Sequence, residues 1–239
     1  MVFSFQINKQ ERYLNTMINA NGISKKFGDK FIASDISLNI SAGEVVGLVG
    51  LNGAGKTTLL RLLLGLINAD SGFAEILNER VSPKNSSVLR KVGVILENDG
   101  FNGNLTFAEN MSFFAKIKGM DGKNLQNYLD ENWAELLRKK NAVKSFSKGE
   151  KMQCAIARAF LNEPKAIILD EPTTGLDYEQ CEKLFTMTKS AQKNGAAVII
   201  SSHNFFALDK LCTRVLELKN AKLKDTTFKD IYGGFFNNI

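Results

Sequence analysis

Residues 50–57 read Gly-Leu-Asn-Gly-Ala-Gly-Lys-Thr, the G-x-x-x-x-G-K-[ST] spacing of a phosphate-binding loop. Phosphates are anionic and need many donors at close range. Gly53 and Gly55 let the backbone bend so that its N–H groups point inward. A helix opening near Lys56 adds its positive dipole end. Lys56 supplies a full charge for the β- and γ-phosphates of a nucleotide, and Thr57 offers a hydroxyl to Mg2+. The candidate binding segment comprises Gly50, Leu51, Asn52, Gly53, Ala54, Gly55, Lys56, Thr57 and Thr58.

A second chemical cluster lies downstream, where the apolar run Ala166–Leu169 ends in Asp170-Glu171-Pro172. In open α/β sheets ligands bind at the carboxyl ends of strands. Consecutive strand residues point to opposite sides, so the two acids are expected to face different ways. Asp170 is expected to hold Mg2+, directly or through water. Glu171 is expected to act as general base on an attacking water, and Pro172 stops further ladder pairing.

The elements that must position these groups read as alternating strands and helices. Residues 17–40 suggest short strands, with Ile36, Leu38 and Ile40 alternating against polar neighbours. Val45–Val49 is an apolar run suited to a strand buried on both faces. A helix over Thr57–Leu66, ended by Gly65, follows the loop. Phe73–Leu77 and Val92–Leu96 read as strands.

Residues 99–146 change character. Thr106 and Glu109 form a capping box before an apolar helix. A second helix carries Leu125, Leu129, Trp133, Leu136 and Leu137 on one side. This is a helical insertion between two α/β halves. Helices over Gly149–Leu161 and Tyr178–Lys193, strands over Ala166–Leu169 and Val198–Ser202, and a terminal hairpin from Val215 complete the pattern. Such alternation implies a mostly parallel sheet with helices on both faces. Residues 1–16 do not fit it and read as an N-terminal extension before a single domain over 17–239.

Between the two chemical clusters, Phe146-Ser147-Lys148-Gly149-Glu150 resembles the signature of ABC transporter ATP-binding subunits, usually Leu-Ser-Gly-Gly-Gln. The segment Thr174-Gly175-Leu176-Asp177 looks like that family's D-loop, and Ser201-Ser202-His203 like its switch-histidine loop. Phe27-Gly28 sits where an aromatic stacks on adenine. The resemblance covers residues 17 to about 220. It implies the P-loop NTPase core of ABC type, with an antiparallel β subdomain and a helical subdomain, and ATP with Mg2+ as ligands. It also implies a head-to-tail dimer in which each ATP touches the P-loop of one subunit and the signature of the other. Ser147, Lys148, Gly149, Glu150 and Asp177 then contact nucleotide, and His203 senses the γ-phosphate. An integral membrane permease is the implied partner, placing the chain in the cytoplasm against the inner face of the membrane.

Two departures stand out. The signature carries Phe146, Lys148 and Glu150 in place of Leu, Gly and Gln. The usual Q-loop glutamine is replaced by Glu97, and the run from Glu97 to Asn110 looks like the glutamate loop of the bacitracin-resistance and lantibiotic-immunity ATPases. A carboxylate is a good hard-cation ligand, so Glu97 is a further candidate for Mg2+. The cargo this implies is a peptide antibiotic or similar amphiphile.

Composition bounds the rest. The 239 residues carry net charge +6 and a pI near 9.1, mildly basic and compatible with phosphates, nucleic acid or an anionic membrane face. The longest apolar runs are too short to span a bilayer, and the N-terminal residues lack signal-peptide order. Cys154, Cys181 and Cys212 show no metal-ligand spacing. A soluble ABC protein acting on nucleic acid or the ribosome is the alternative class. A single ATPase unit without a coiled-coil insertion or basic tail speaks against it, so no nucleic acid partner is expected. A non-hydrolysing regulator is disfavoured by Lys56, Asp170, Glu171 and His203 together.

Overall fold

The computed structural model describes residues 15–85, 87–96, 100–203 and 205–231. A twisted, mixed sheet carries the chemistry, and its order is β10-β9-β3-β8-β7-β6. Its central strands are β3 (Val45–Val49), β7 (Ala166–Asp170) and β8 (Ala197–Ser201), all buried throughout. Each is a run of apolar residues because each is covered on both sides. Val45 and Val49 of β3 join one core and Val46 and Leu48 the other. Ile167 and Leu169 of β7 are likewise divided from Ala166 and Ile168, and Val198 and Ile200 of β8 from Ala197 and Ile199. Edge strand β6 (Val92–Ile95) and strand β9 (Arg214–Lys219) run parallel to them. Only β10 (Lys222–Thr226) is antiparallel, closing the terminal hairpin that the sequence indicates.

One core lies between this sheet, the helix α1 (Lys56–Leu63) and a second, antiparallel sheet. The second sheet has order β2-β1-β4-β5. Its strands are β1 (Thr16–Phe27), β2 (Lys30–Ser41), β4 (Ser71–Ile76) and the short β5 (Glu79–Arg80). Here the structure corrects the expectation of several short strands over residues 17–40. Two 12-residue strands form one long hairpin. Gly22 and Asp35 sit at φ 60° and 53°, beside register shifts that break strict alternation. Serines on the facing strand satisfy the displaced amides: Gly22 N–H donates to Ser37 Oγ (2.9 Å) and Asp35 N–H to Ser24 Oγ (2.9 Å). Only the Ile36-Leu38-Ile40 stretch keeps a clean period of two. β1 begins at Thr16, within the stretch read as an extension, whose first fourteen residues lie outside those described.

The other core lies under the remaining helices: α2 (Phe107–Ile117), α3 (Gly122–Arg138), α4 (Lys148–Ala159), α5 (Tyr178–Lys193) and α6 (Phe205–Leu211). The capping box of Thr106 and Glu109 opens α2 as the sequence suggests. Helix α3 is not the uninterrupted helix expected. Its backbone leaves helical geometry at Trp133, which lies buried beneath it. Helix α1 stops at Leu63, short of the expected Leu66, because Gly65 turns left-handed at φ 65°. Leu66 N–H then donates to Arg61 O and Gly65 N–H to Leu62 O, a Schellman-type end.

Two residues without an obvious sequence signal hold the insertion in place. Asn110 is 2% exposed; its Oδ1 accepts from Asn102 N–H (2.8 Å) and its Nδ2 donates to Asn102 O and Thr106 O. Gly93 in β6 lets α4 approach, since a Cβ there would stand 2.3 Å from the carbonyl oxygen of Ala159. Gly93→Ala is therefore expected to destabilise the fold by about 1–3 kcal/mol, read as a lowered denaturant midpoint at unchanged slope.

Candidate active site

The loop after β3 turns sharply into α1. Gly53 and Gly55 have φ 74° and 103°, values that only glycine adopts without strain. Gly55 also has to be bare, because a Cβ would stand 2.5 Å from Ile32 Cγ2 of the other sheet. Ala54 N–H donates to Leu51 O (3.0 Å), closing the turn. Lys56, 7% exposed, folds back over the loop and donates to Gly50 O (2.9 Å). Burial pushes its ammonium below the usual lysine value, while Glu171 and Asp170 oppose that shift.

Asp170 ends β7 facing this loop. Its Oδ2 accepts from Thr57 Oγ1 at 2.6 Å, and its Oδ1 accepts from the hydroxyl of Ser201 at the end of β8. Ser201 is fully buried, and its Oγ also accepts from Glu171 N–H (3.1 Å). The first turn of α1, the end of β7 and the end of β8 are thereby joined through side chains.

The structure corrects the expectation that Asp170 and Glu171 face opposite ways. The strand stops at Asp170, and Glu171 sits at φ 48°. Strand alternation therefore does not apply, and both carboxylates line one cleft with Asn52–Thr58, Ile32 and His203. Glu171 Oε2 accepts from His203 N–H (3.2 Å), and Glu171 Oε1 lies 3.2 Å from His203 Nε2. His203 Nε2 in turn is 3.4 Å from Lys56 Nζ.

The other sequence candidates lie elsewhere on the chain. Phe27, 55% exposed, ends β1 at the tip of the long hairpin, with Lys25 Nζ 5.6 Å from its ring centroid. Ser147 is the N-cap of α4 and forms a capping box with Glu150. Glu150 also pairs with Lys139, and these bonds, the one from Lys139 foremost, hold its carboxyl below the usual range. Asp177 is likewise the N-cap of α5, in a capping box with Gln180. Gly149 packs on the D-loop: a Cβ there would stand 2.7 Å from Gly175 O. Ser147–Glu150 and Asp177 thus form a second surface whose residues do not line the Lys56 cleft. Glu97 lies outside the described residues.

Sequence reasoning left out Ile32 and the hydroxyl of Ser201. Ile32 carries no motif, since only the approach of the two sheets brings it to Gly55. Ser201 does carry a signal, as a hydroxyl ending an apolar strand directly before Ser202-His203.

Fold and cleft together define a P-loop cassette that binds and cleaves nucleotide. Residues 33–174 match the family described as ABC transporter. The chain is 36% identical over 211 residues to the bacitracin transport ATP-binding protein BcrA of Bacillus licheniformis, covering 88% of this chain and 69% of the relative. It is 32% identical over 209 residues to the Nod factor export ATP-binding protein I of Bradyrhizobium diazoefficiens, covering 86% of this chain and 68% of that one. A solved structure described as the ATP-binding subunit of an ABC transporter superposes with a TM-score of 0.82 at 27% identity, over 92% of this chain and 94% of the other. The chain belongs to the ABC transporter family and is an ATP-binding, ATP-hydrolysing subunit of that class.

Ser201→Ala removes the donor to Asp170, while Glu171 N–H keeps the Ser201 carbonyl as its acceptor. Loss of a buried partner is worth about 1–3 kcal/mol, so turnover of ATP is expected to fall roughly tenfold or more. A phosphate-release assay at saturating ATP checks this.

Proposed function

We propose that this chain powers a separate membrane permease that exports a peptide antibiotic or similar amphiphile, or confers immunity to one, working from the cytoplasmic face. The relatives named for bacitracin transport and Nod factor export support this cargo class. Among the described residues no helix is long and apolar enough to cross a membrane, which fits a role as the motor for a partner that does.

The observation that carries the mechanism is the convergence of Thr57, Asp170, Glu171 and Lys56 in one cleft. The loop amides and Lys56 bind the phosphates of ATP. A Thr hydroxyl beside a carboxylate is a hard-oxygen pair suited to Mg2+, which takes few protein ligands and shares the rest with phosphate and water. Thr57 donates a hydrogen bond to Asp170 and would keep a lone pair for the ion, and Asp170 would hold it directly or through water. When bound, Mg2+ neutralises charge on the β- and γ-oxygens. Glu97 is a further candidate ligand.

Glu171 is the general base. It takes a proton from water as the water oxygen bonds the γ-phosphorus and the β–γ bridge breaks, leaving ADP and phosphate. His203, between Glu171 and Lys56, places its ring against the γ-phosphate. Phe27 stacks on the adenine from the hairpin tip. A second copy of the chain supplies the amides of Ser147, Lys148 and Gly149 at the N-terminus of its α4. The Lys148 ammonium adds charge there, and Glu150 contributes by fixing Ser147. Asp177, capping α5, faces the same junction. ATP then favours the closed pair because it contacts both subunits only there.

The permease docks beside edge strand β6, in a groove lined by Val92, Val94, Phe114, Ile117, Lys118 and Arg158. Ile117 is 43% exposed there, and Ile117→Asp is expected to weaken permease co-purification while sparing ATP binding. Glu171→Gln is expected to bind ATP normally while turnover falls about a hundredfold or more. Light scattering after gel filtration should show it as a monomer without nucleotide and a dimer with ATP. Near-normal turnover in that variant would remove Glu171 as the base.

A further inference from the structure

Helix α3 leaves helical geometry at Trp133, with φ −137° and ψ 26°. A break of this kind releases carbonyls from the helical ladder, and these need other donors when water is kept away. The carbonyl of Asn132 receives the ammonium of Lys183, which projects from α5. The same ammonium lies 3.7 Å from the centroid of the Trp133 ring. Trp133 is 2% exposed, and its indole N–H lies towards the Tyr128 hydroxyl without a well-aligned hydrogen bond. The ring is held by packing and by the cation on its face. Burial pushes the Lys183 ammonium below the usual lysine value, against the nearby charge of Glu135. This lysine therefore sits in the junction between helices instead of reaching into solvent.

Helix α3 is also tied to α4 at two points. The Tyr128 hydroxyl donates to Ala157 O (2.8 Å), and the C-cap residue Lys139 pairs with Glu150 in the first turn of α4. One broken helix therefore grips both helices that begin at the second polar surface, α4 behind Ser147 and α5 behind Asp177. Between those beginnings, the backbone of Gly149 rests on Gly175, a contact that tolerates little relative movement of the two helices.

We infer that Lys183 is a positioning residue for ATP hydrolysis: by clasping the break at Trp133 it fixes α5 to α3, and so holds the turns at Ser147–Gly149 and Gly175–Asp177 as one surface for the nucleotide of the neighbouring subunit. The inference rests on the shared-site reading given above. Lys183 touches no reacting atom and acts only through the helix it anchors. A lysine serving stability alone would alter the melting temperature without altering the ATP dependence of pairing.

The test uses the full chain carrying Glu171→Gln, with Lys183→Met to remove the charge at similar length and Lys183→Arg to keep it. Trp133 is the sole tryptophan, so its emission and its quenching by acrylamide report on the clasp directly. Lys183→Met is expected to bind ATP within about twofold of its parent, yet to need about tenfold more ATP to dimerise, the loss of one desolvated cation–ring contact. Trp133 should become more open to acrylamide, and Lys183→Arg should restore both readings. Dimerisation of Lys183→Met at the parent's ATP concentration would overturn the inference, as would a Lys183→Arg variant equally impaired. If Lys183→Met fails to fold, the Arg variant decides, since it keeps the cation and must behave as the parent does. If the parent stays monomeric with ATP, the shared-site reading fails instead. The clasp is then judged on Trp133 alone, with unchanged quenching in Lys183→Met overturning it.

Discussion

Both oxygens of the Asp170 carboxylate are taken by hydroxyls from distant parts of the chain, Thr57 at the start of α1 and Ser201 at the end of β8. Asp170 is only 9% exposed. A carboxylate so placed is costly to bury unless it is hydrogen-bonded or paired. Its partners therefore fix where α1 begins relative to the ends of β7 and β8. Ser201 extends the same constraint to the backbone of Glu171, so the phosphate loop and the second acid share one frame. The left-handed backbone at Glu171 then turns the second acid into the cleft that the first acid faces.

That frame needs a rigid support, and the parallel sheet supplies it. Strands β3, β7 and β8 are covered on both faces, so a slip of one residue would move each apolar set into the wrong core. Edge strand β6 is handled differently. Lys118 donates to Val92 O (2.9 Å) and Arg158 to Val94 O (2.9 Å), so cationic side chains cover carbonyls on that edge. Burial pushes the Lys118 ammonium down to about 8, with Arg158 adding to the shift. The same two side chains line the groove beside β6, and its positive rim is thus a consequence of protecting the sheet.

The helical insertion serves the other half of the site. Its helix α3 is tied to α4 and α5, which begin at Ser147 and Asp177, while the phosphate loop stands on the sheet. The candidate nucleotide-contacting residues are thereby distributed over two surfaces of one chain. In the proposed function such an arrangement is complete only when two chains meet, so that binding free energy drives their closure.

Motif chemistry was readable because it is local. The spacing of Gly50–Thr57, the acids after Ala166–Leu169 and the capping box at Thr106 each depend on residues adjacent in sequence. The buried strands were readable for a related reason, since double burial leaves continuous apolar runs. What the sequence did not reveal depended on contacts between distant segments or on backbone angles. The bulges at Gly22 and Asp35 hid a long hairpin, and the sharp turn at Glu171 replaced strand alternation. The break at Trp133 is stabilised by Lys183, a residue from another helix. Ile32 meets Gly55, and Ser201 meets Asp170, only after two sheets and two strand ends are brought together. The sequence by itself determined which groups are candidates for the chemistry and the class of fold that holds them. Tertiary structure alone decided which of those groups share a cleft, because burial and hydrogen-bond satisfaction act between segments that no local pattern connects.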